Sequence, residues 1–182
     1  MAETSPDELA ALVDRDGAVV GSAPRGLVRR DNLLHAATAV LVRDPAGRIY
    51  VHRRSDTKDW APGRHDAAAG GVLQYGEDVE DSARRELEEE LGVAGVPLTP
   101  LGTSLFEDET SRCVEFAFEV TWDGPLVHQE AEVVWGTWMT LPELATHLAD
   151  EQWPFVPDTR LLLERLAGGD VGDYAELRRS AP

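Results

Sequence analysis

Cysteine is nearly absent from this chain. Cys113 stands alone among 182 residues, so no disulfide can form within the chain, and a reducing compartment fits. Basic residues are scarce too: 17 Lys and Arg face 34 Asp and Glu, a formal charge of −17. A surface this negative repels a nucleic-acid backbone, which argues against a DNA or RNA polymer as partner. It repels small anions as well, so a phosphate-bearing ligand would need a cation as bridge. Long apolar runs are missing. The first 20 residues hold none flanked by positive charge, which predicts no signal peptide, and no stretch approaches the length of a membrane span. The expected location is cytoplasmic. Internal repeats and low-complexity tracts are also lacking. What remains is 42% hydrophobic, enough for the core of one ordinary domain with short extensions.

Within that domain strands and helices interleave. Residues 1–7 read as a loose start. Leu12 and Val13, an Asp14-Arg15-Asp16-Gly17 turn, and residues 18–20 predict a small hairpin. Residues 35–42 form an apolar run of strand length, and a turn at Asp44-Pro45-Ala46-Gly47 leads to a return strand over 48–54. Trp60 to Gly63, punctuated by Pro62, reads as a loop. Residues 113–122 alternate: Val114, Phe116, Phe118, Val120 and Trp122 share one face, and Glu115, Ala117, Glu119 and Thr121 the other. A further strand is expected over 133–140, a helix opening at Leu141-Pro142, another over 157–166, and a short segment near 174–179. This pattern predicts a mixed α/β domain. The expected division is an N-terminal extension with its hairpin (1–30), the main domain (31–168), and a C-terminal tail with a short helix (169–182).

The most informative stretch is GGVLQYGEDVEDSARRELEEELGV, running from Gly70 to Val93. A glycine turn precedes a helix expected over 79–91, with Gly92 closing it. At about 100° per residue, Val79, Ala83, Leu87 and Leu91 make an apolar stripe. Glu88 and Asp81 fall on the far side, where solvated charges belong. Glu86, Glu89 and Glu90 border the stripe, and Glu90 projects almost between Val79 and Ala83. Residues 77–90 hold eight acids and two arginines, contributing −6 of the total −17 and leaving −11 elsewhere. Carboxylates at i, i+3 and i+4 share one helix side and repel one another unless a positive charge sits among them. A hard divalent cation with oxygen ligands is the usual answer. A solvated acidic face explains Glu88 and Asp81 but not the inward position of Glu90.

Gly71, Glu77, Arg85, Glu86, Leu87, Glu89, Glu90, Gly92 and Val93 fit G-x5-E-x7-R-E-U-x-E-E-x-G-U, with U aliphatic. The segment therefore resembles the Nudix box, with no fixed position missed, and residues 35–143 read like the whole Nudix domain. The resemblance implies an α/β/α sandwich with a mixed sheet and a hydrolase acting on phosphoanhydrides. It implies Mg²⁺, with Mn²⁺ as the alternative ion, held by Glu86, Glu89, Glu90 and the carbonyl of Gly70. Arg85 would fix Glu77 through a bidentate pair, and Glu86 is the first choice for general base. Glu115, Glu130 and Glu132 are the alternatives outside the box. Each also reads as a solvated charge.

Upstream, Leu34-His35-Ala36, Arg53-Arg54, Lys58 and Trp60-Ala61-Pro62-Gly63 are similar to the Nudix group close to isopentenyl-diphosphate isomerases. Isomerisation would need a cysteine and a histidine before the box helix, where this chain has Ala67, Ala68, Ala69 and Gly70. His35 is better read as hydrogen-bonded than as a metal ligand. Arg53 and Arg54 alternate on a strand, so only one can face a site, and Arg54 with Lys58 is taken as the substrate-phosphate pair. Trp60, Phe106 and Tyr75 are candidates for stacking. Trp135 or Trp138 could form a homodimer surface. A small-molecule diphosphate is the expected partner, and a nucleotide-sensing module without catalysis is the remaining alternative.

Overall fold

The computed structural model describes residues 8–169 and 171–178. The expected loose start at 1–7 and the last residue of the expected 174–179 segment lie outside them. Among the described residues nine strands form one mixed sheet: β1 (Leu9–Val13), β2 (Val19–Pro24), β3 (His35–Arg43), β4 (Ile49–Arg54), β5 (His65–Asp66), β6 (Ala68–Ala69), β7 (Thr99–Glu107), β8 (Arg112–Thr121) and β9 (Val133–Met139). The helices are α1 (Arg25–Asp31), α2 (Val79–Leu91), α3 (Leu141–Ala149) and α4 (Pro157–Gly168), with a 3₁₀ turn at Tyr174–Arg178.

β3 is the axis of the sheet. It runs parallel to β8 along its whole length, from His35 opposite Cys113 to Arg43 opposite Thr121, and antiparallel to β1, β4 and β6. Both of its faces are covered. Ala39 and Leu41 pack with Leu144, Leu162 and Leu166 of α3 and α4, while Val40 and Val42 pack with Ala83, Leu87 and Leu91 of α2. A strand buried on both faces needs no polar alternation, so 35–42 reads as an unbroken apolar run. The result is a mixed sheet between α2 and the α3–α4 pair, an α/β/α sandwich.

The same double cover corrects the reading of β8. Its second face, expected to be polar and solvated, lies under the α4 side. Glu115 is 4% exposed, and Glu119 accepts a 2.6 Å hydrogen bond from the Tyr174 hydroxyl. Four elements were not foreseen: the two-residue strands β5 and β6, and β7 and α1. β7 pairs with β8 but is largely exposed, with a bulge at Gly102 (φ 93°), and its Thr-Pro-Leu-Gly-Thr-Ser run carries no periodic signal. α1 buries only Val28. The hairpin does not stand apart from the main domain: β1 pairs with β3 at Leu12–His35, and the Leu73 carbonyl accepts a 2.9 Å bond from the Ala11 N–H. Of the two tryptophans considered for a surface, Trp135 is exposed, whereas Trp138 packs edge-on against Tyr50 at 5.1 Å.

α2 matches its expected bounds because its signals are local. Asp78 caps it by accepting from the N–H groups of Glu80 and Asp81, and Glu80 and Asp81 suit the positive end of the helix. Gly92 ends it at φ 68°, with its N–H on the Glu88 carbonyl. Leu87 and Leu91 are each 1% exposed, worth about 2 kcal/mol apiece by burial. That anchoring fixes the rotation of the helix, and hence where its carboxylates stand.

Candidate active site

The glycine pair after β6 meets the carboxylate side of α2. A Cβ on Gly71 would lie 2.7 Å from the Glu86 carboxylate, and one on Gly70 would lie 1.9 Å from the Thr38 carbonyl oxygen. A side chain at Gly70 would strike the β3 backbone, so that glycine is required by close approach, whereas one at Gly71 would displace the Glu86 carboxylate. The Gly70 N–H reaches Glu90 Oε2 at 3.4 Å, and the Gly71 carbonyl accepts from the Thr38 N–H at 2.9 Å.

The three glutamates sit at three depths. Glu90 is 3% exposed, Glu86 is mostly buried, and Glu89 is open. Arg85 ties the first turn of the site together. Its Nε and Nη2 donate to Glu77 Oε1 and Oε2 at 2.9 and 3.0 Å, and its Nη1 donates to Glu86 Oε1 at 2.7 Å. Glu77, although partly buried, is held below the usual carboxylate range by Arg85.

Glu86 is the perturbed group. Burial, then the neighbouring Glu90, push its pKa up to about 7, and Arg85 only partly offsets them. Glu90 behaves in the opposite way. Burial disfavours its charge, but Lys58, His52 and Arg54 outweigh that and lower its pKa. Lys58 is the only lysine in the chain. Its ammonium donates to Glu90 Oε1 at 3.1 Å and also to Glu132 Oε2. Lys58, expected to bind a substrate phosphate, is here the positive charge inside the carboxylate cluster, and Glu132 is drawn in beside it. Glu130 is exposed.

Glu86 and Glu89 share Arg85 while Glu90 takes Lys58, and the oxygens of Glu86, Glu89 and Glu90 do not converge on a common point. Among the described residues, only Cys113, Glu115 and Asp158 bring three ligand-type atoms within 4.8 Å of one another. The residues of the box nonetheless fit a hard divalent ion. The donors are carboxylate oxygens, two glycines clear the space beside them, and the raised pKa of Glu86 marks a place short of positive charge.

Next to the glycines a cleft opens to solvent. Arg25 and Arg29, neither foreseen as site residues, line it from α1, where their i,i+4 spacing puts both on one side. They share a single carboxylate, Asp59, at 3.4 and 3.3 Å. Of the Arg53-Arg54 pair, Arg54 lines the cleft and Arg53 pairs outside with Asp56. Arg54 is fully engaged, donating to Asp66 and to the carbonyls of Trp60 and Ala61. His35 Nδ1 lies 2.9 Å from the Leu33 carbonyl, and burial takes its pKa down to about 4. It is a neutral, hydrogen-bonded wall residue. Trp60 lines the cleft and packs edge-on against Phe106, while Tyr75 is exposed.

A family model described as the NUDIX domain matches residues 33–159, well over half of the chain. The chain belongs to the Nudix family. A Nudix hydrolase of Rhodococcus erythropolis, orf19, whose own activity is uncharacterised, is 47% identical to it, spanning 86% of this chain and 90% of that protein. YfcD of Escherichia coli K12, likewise an uncharacterised Nudix hydrolase, is 44% identical over 81% of this chain and 80% of its own length. Among solved structures, DR0079 of Deinococcus radiodurans superposes with a TM-score of 0.73 at 26% identity, covering 87% of this chain and 98% of that one. The MutT protein of Methanosarcina mazei, at 21% identity and a TM-score of 0.65, shares the fold. This chain is thus a Nudix hydrolase acting on a diphosphate-containing substrate, and membership of the family implies dependence on a divalent metal. Among the described residues no helix is long and apolar enough to cross a membrane.

Proposed function

We propose that this Nudix hydrolase cleaves the phosphoanhydride bond of a nucleoside diphosphate joined to a further group, or of a simple nucleoside di- or triphosphate. The observation that carries this reading is the placement of Glu86, buried and short of positive charge, beside a cleft lined by Arg25, Arg29 and Lys58. Glu86, Glu89, Glu90 and the Gly70 carbonyl would hold Mg²⁺, with Mn²⁺ as the alternative ion. Bound there, the ion would supply charge neutralisation on the phosphates and make water more acidic.

The protein's own residues carry the rest. Glu86 is the group placed to accept a proton from the attacking water. Arg85, braced by two hydrogen bonds to Glu77, fixes the Glu86 carboxylate. Lys58 turns from Glu90 to a phosphate oxygen as substrate enters, and Arg25 and Arg29, under-compensated by one aspartate, receive the outer phosphate. Arg54 shapes the wall through Asp66 rather than gripping the phosphate. The kinship with the isomerase-like branch extends to the frame alone, because Ala67, Ala68 and Ala69 offer no acid or base. The work of this site is in the cytoplasm.

Phosphate release from nucleoside diphosphates, triphosphates, nucleotide sugars and dinucleoside polyphosphates tests the reading. Wild type and Glu89→Gln are compared with Mg²⁺ and with chelator. Turnover that needs both the metal and Glu89 is expected. Turnover that persists in Glu89→Gln or in chelator would remove the assigned metal site. No turnover on any nucleotide in wild type would remove the substrate class.

A further inference from the structure

One loop reaches both charged parts of the site. Residues 55–63, between β4 and β5, form a compact loop whose ends are tied to each other. The Ser55 carbonyl accepts from the Gly63 N–H at 3.2 Å and from the Lys58 N–H at 3.4 Å. At the tip, Lys58 donates to Glu90 and Glu132, and Asp59 accepts from Arg25 and Arg29 at 3.4 and 3.3 Å. Trp60, next in the chain, donates from Nε1 to the Thr110 hydroxyl at 3.2 Å, and Arg29 lies over its ring at 6.0 Å. Among the described residues the main-chain bonds of 56–62 stay within the loop, so side chains alone hold the tip in place. Ala61 sits at φ 48°, a left-handed conformation unfavourable for a residue with a Cβ, so the loop is strained where it lies.

The places these two side chains take are those of the reaction's own charges. Glu90 is a box carboxylate assigned to the divalent ion, and Lys58 sets a single positive charge on it. Arg25 and Arg29 are assigned to a phosphate, and Asp59 sets a single negative charge on both. An ammonium carries half the charge of the ion, and one carboxylate carries less than a diphosphate. Each contact holds the loop, and each gives way to the stronger ligand. The Asp59 pairs are also open to solvent, with the aspartate side chain 46% exposed, which makes them weak. Lys58 and Asp59 are consecutive, their Cα atoms about 3.8 Å apart, so lifting one loosens the other.

We propose that Lys58 and Asp59 are built-in stand-ins for the divalent ion and for a substrate phosphate, and that their loop couples the binding of the two. Metal at Glu90 releases Lys58, the loop loosens, and Asp59 leaves Arg25 and Arg29 to the phosphate. By reciprocity, a phosphate at the arginines favours metal at Glu90. A chain of net charge −17 repels a free diphosphate, and an order of metal first, phosphate second suits it. The proposal rests on the metal and phosphate assignments above and adds how one governs the other.

Mn²⁺ binding without substrate, followed by the electron spin resonance signal of the free ion, tests the coupling through its sign. Asp59→Asn is nearly isosteric and removes a negative charge from the cleft, so electrostatics alone would weaken Mn²⁺ binding. Under the proposal it unpins Lys58, and Mn²⁺ is expected to bind about two- to five-fold tighter than to wild type, the range of an exposed ion pair. Asp56→Asn takes the same charge from the same loop, but Asp56 pairs with Arg53 outside the cleft, so this variant is expected to bind Mn²⁺ no tighter than wild type. A second readout follows the loop. Quenching of Trp60 by acrylamide, taken as the difference between wild type and Trp60→Phe, is expected to rise with saturating Mg²⁺. The proposal is overturned if Asp59→Asn binds Mn²⁺ equally or more weakly, if Asp56→Asn tightens binding as much, or if Mg²⁺ leaves Trp60 no more accessible. Wild type that binds no Mn²⁺, or binds it regardless of Glu89→Gln, would overturn the metal assignment and the coupling with it. Binding that needs Glu89 but ignores Asp59 would overturn the coupling alone.

Discussion

Replacing Glu86 with glutamine should remove a pH-dependent loss of stability that the metal-free wild type suffers between about pH 5 and pH 8. In the folded protein the Glu86 pKa rises from 4.5 to about 7, through burial and the charge of Glu90. A carboxyl whose folded pKa lies above its unfolded value binds its proton more tightly in the folded state. Its stabilising contribution is therefore complete below about pH 4.5 and is lost as pH rises through about 7. The shift corresponds to roughly 3 kcal/mol in full, of which roughly 2.5 kcal/mol falls between pH 5 and 8. Little solvent discount applies, because the side chain is only 14% exposed. Urea unfolding of both proteins in chelator, at several pH values, measures it. The wild-type free energy should fall against Glu86→Gln by roughly that amount, half of it by about pH 6. Saturating Mg²⁺ at pH 8 should restore wild type, by about 2.7 kcal/mol at a hundred-fold excess over Kd, and Glu86→Gln much less. Parallel pH profiles in chelator would refute both the raised pKa and the shortage of positive charge on which the metal assignment stands.

Gly71→Ala places a Cβ 2.7 Å from the Glu86 carboxylate, so kcat/KM should fall on the order of 100-fold while the thermal midpoint moves little; unchanged kinetics would show that Glu86 need not stand there. Lys58→Met leaves Glu90 buried without its ammonium and should cost about 3 kcal/mol in chelator, and clearly less with Mg²⁺. An equal loss in both conditions would mean that lysine and metal do not serve the same carboxylates. Thr140→Ala removes the capping box that Thr140 and Glu143 form at the start of α3, costing about 1 kcal/mol in denaturant unfolding with activity intact. A change in kcat would tie α3 to the site.

The box was legible because its causes are local. Asp78, Gly92 and the Val79-Ala83-Leu87-Leu91 stripe fix the ends and rotation of α2 from within some fifteen residues, and the inward position of Glu90 follows from the same periodicity. The β1–β2 hairpin, β3, β4 and β9 carried comparable local signals. β7 and α1 carried none: one is an exposed edge strand with a bulge, the other a single-residue anchor.

The amino-acid sequence by itself determined the Nudix family, the carboxylate-bearing helix and the Arg85–Glu77 bracing. Each depends on spacing along one short stretch. Only the tertiary structure decided which charges are buried together. Lys58 reaches Glu90 across 32 positions and Glu132 across 74, Arg25 and Arg29 enter the cleft from the N-terminal segment, and Glu115 meets Asp158 from another element. Nothing about a lone lysine in a loop, or a glutamate on an alternating strand, states its surroundings. Burial and like-charge proximity are set by what packs over a residue, and in this fold α4 turns an ordinary strand face into the wall of a cleft.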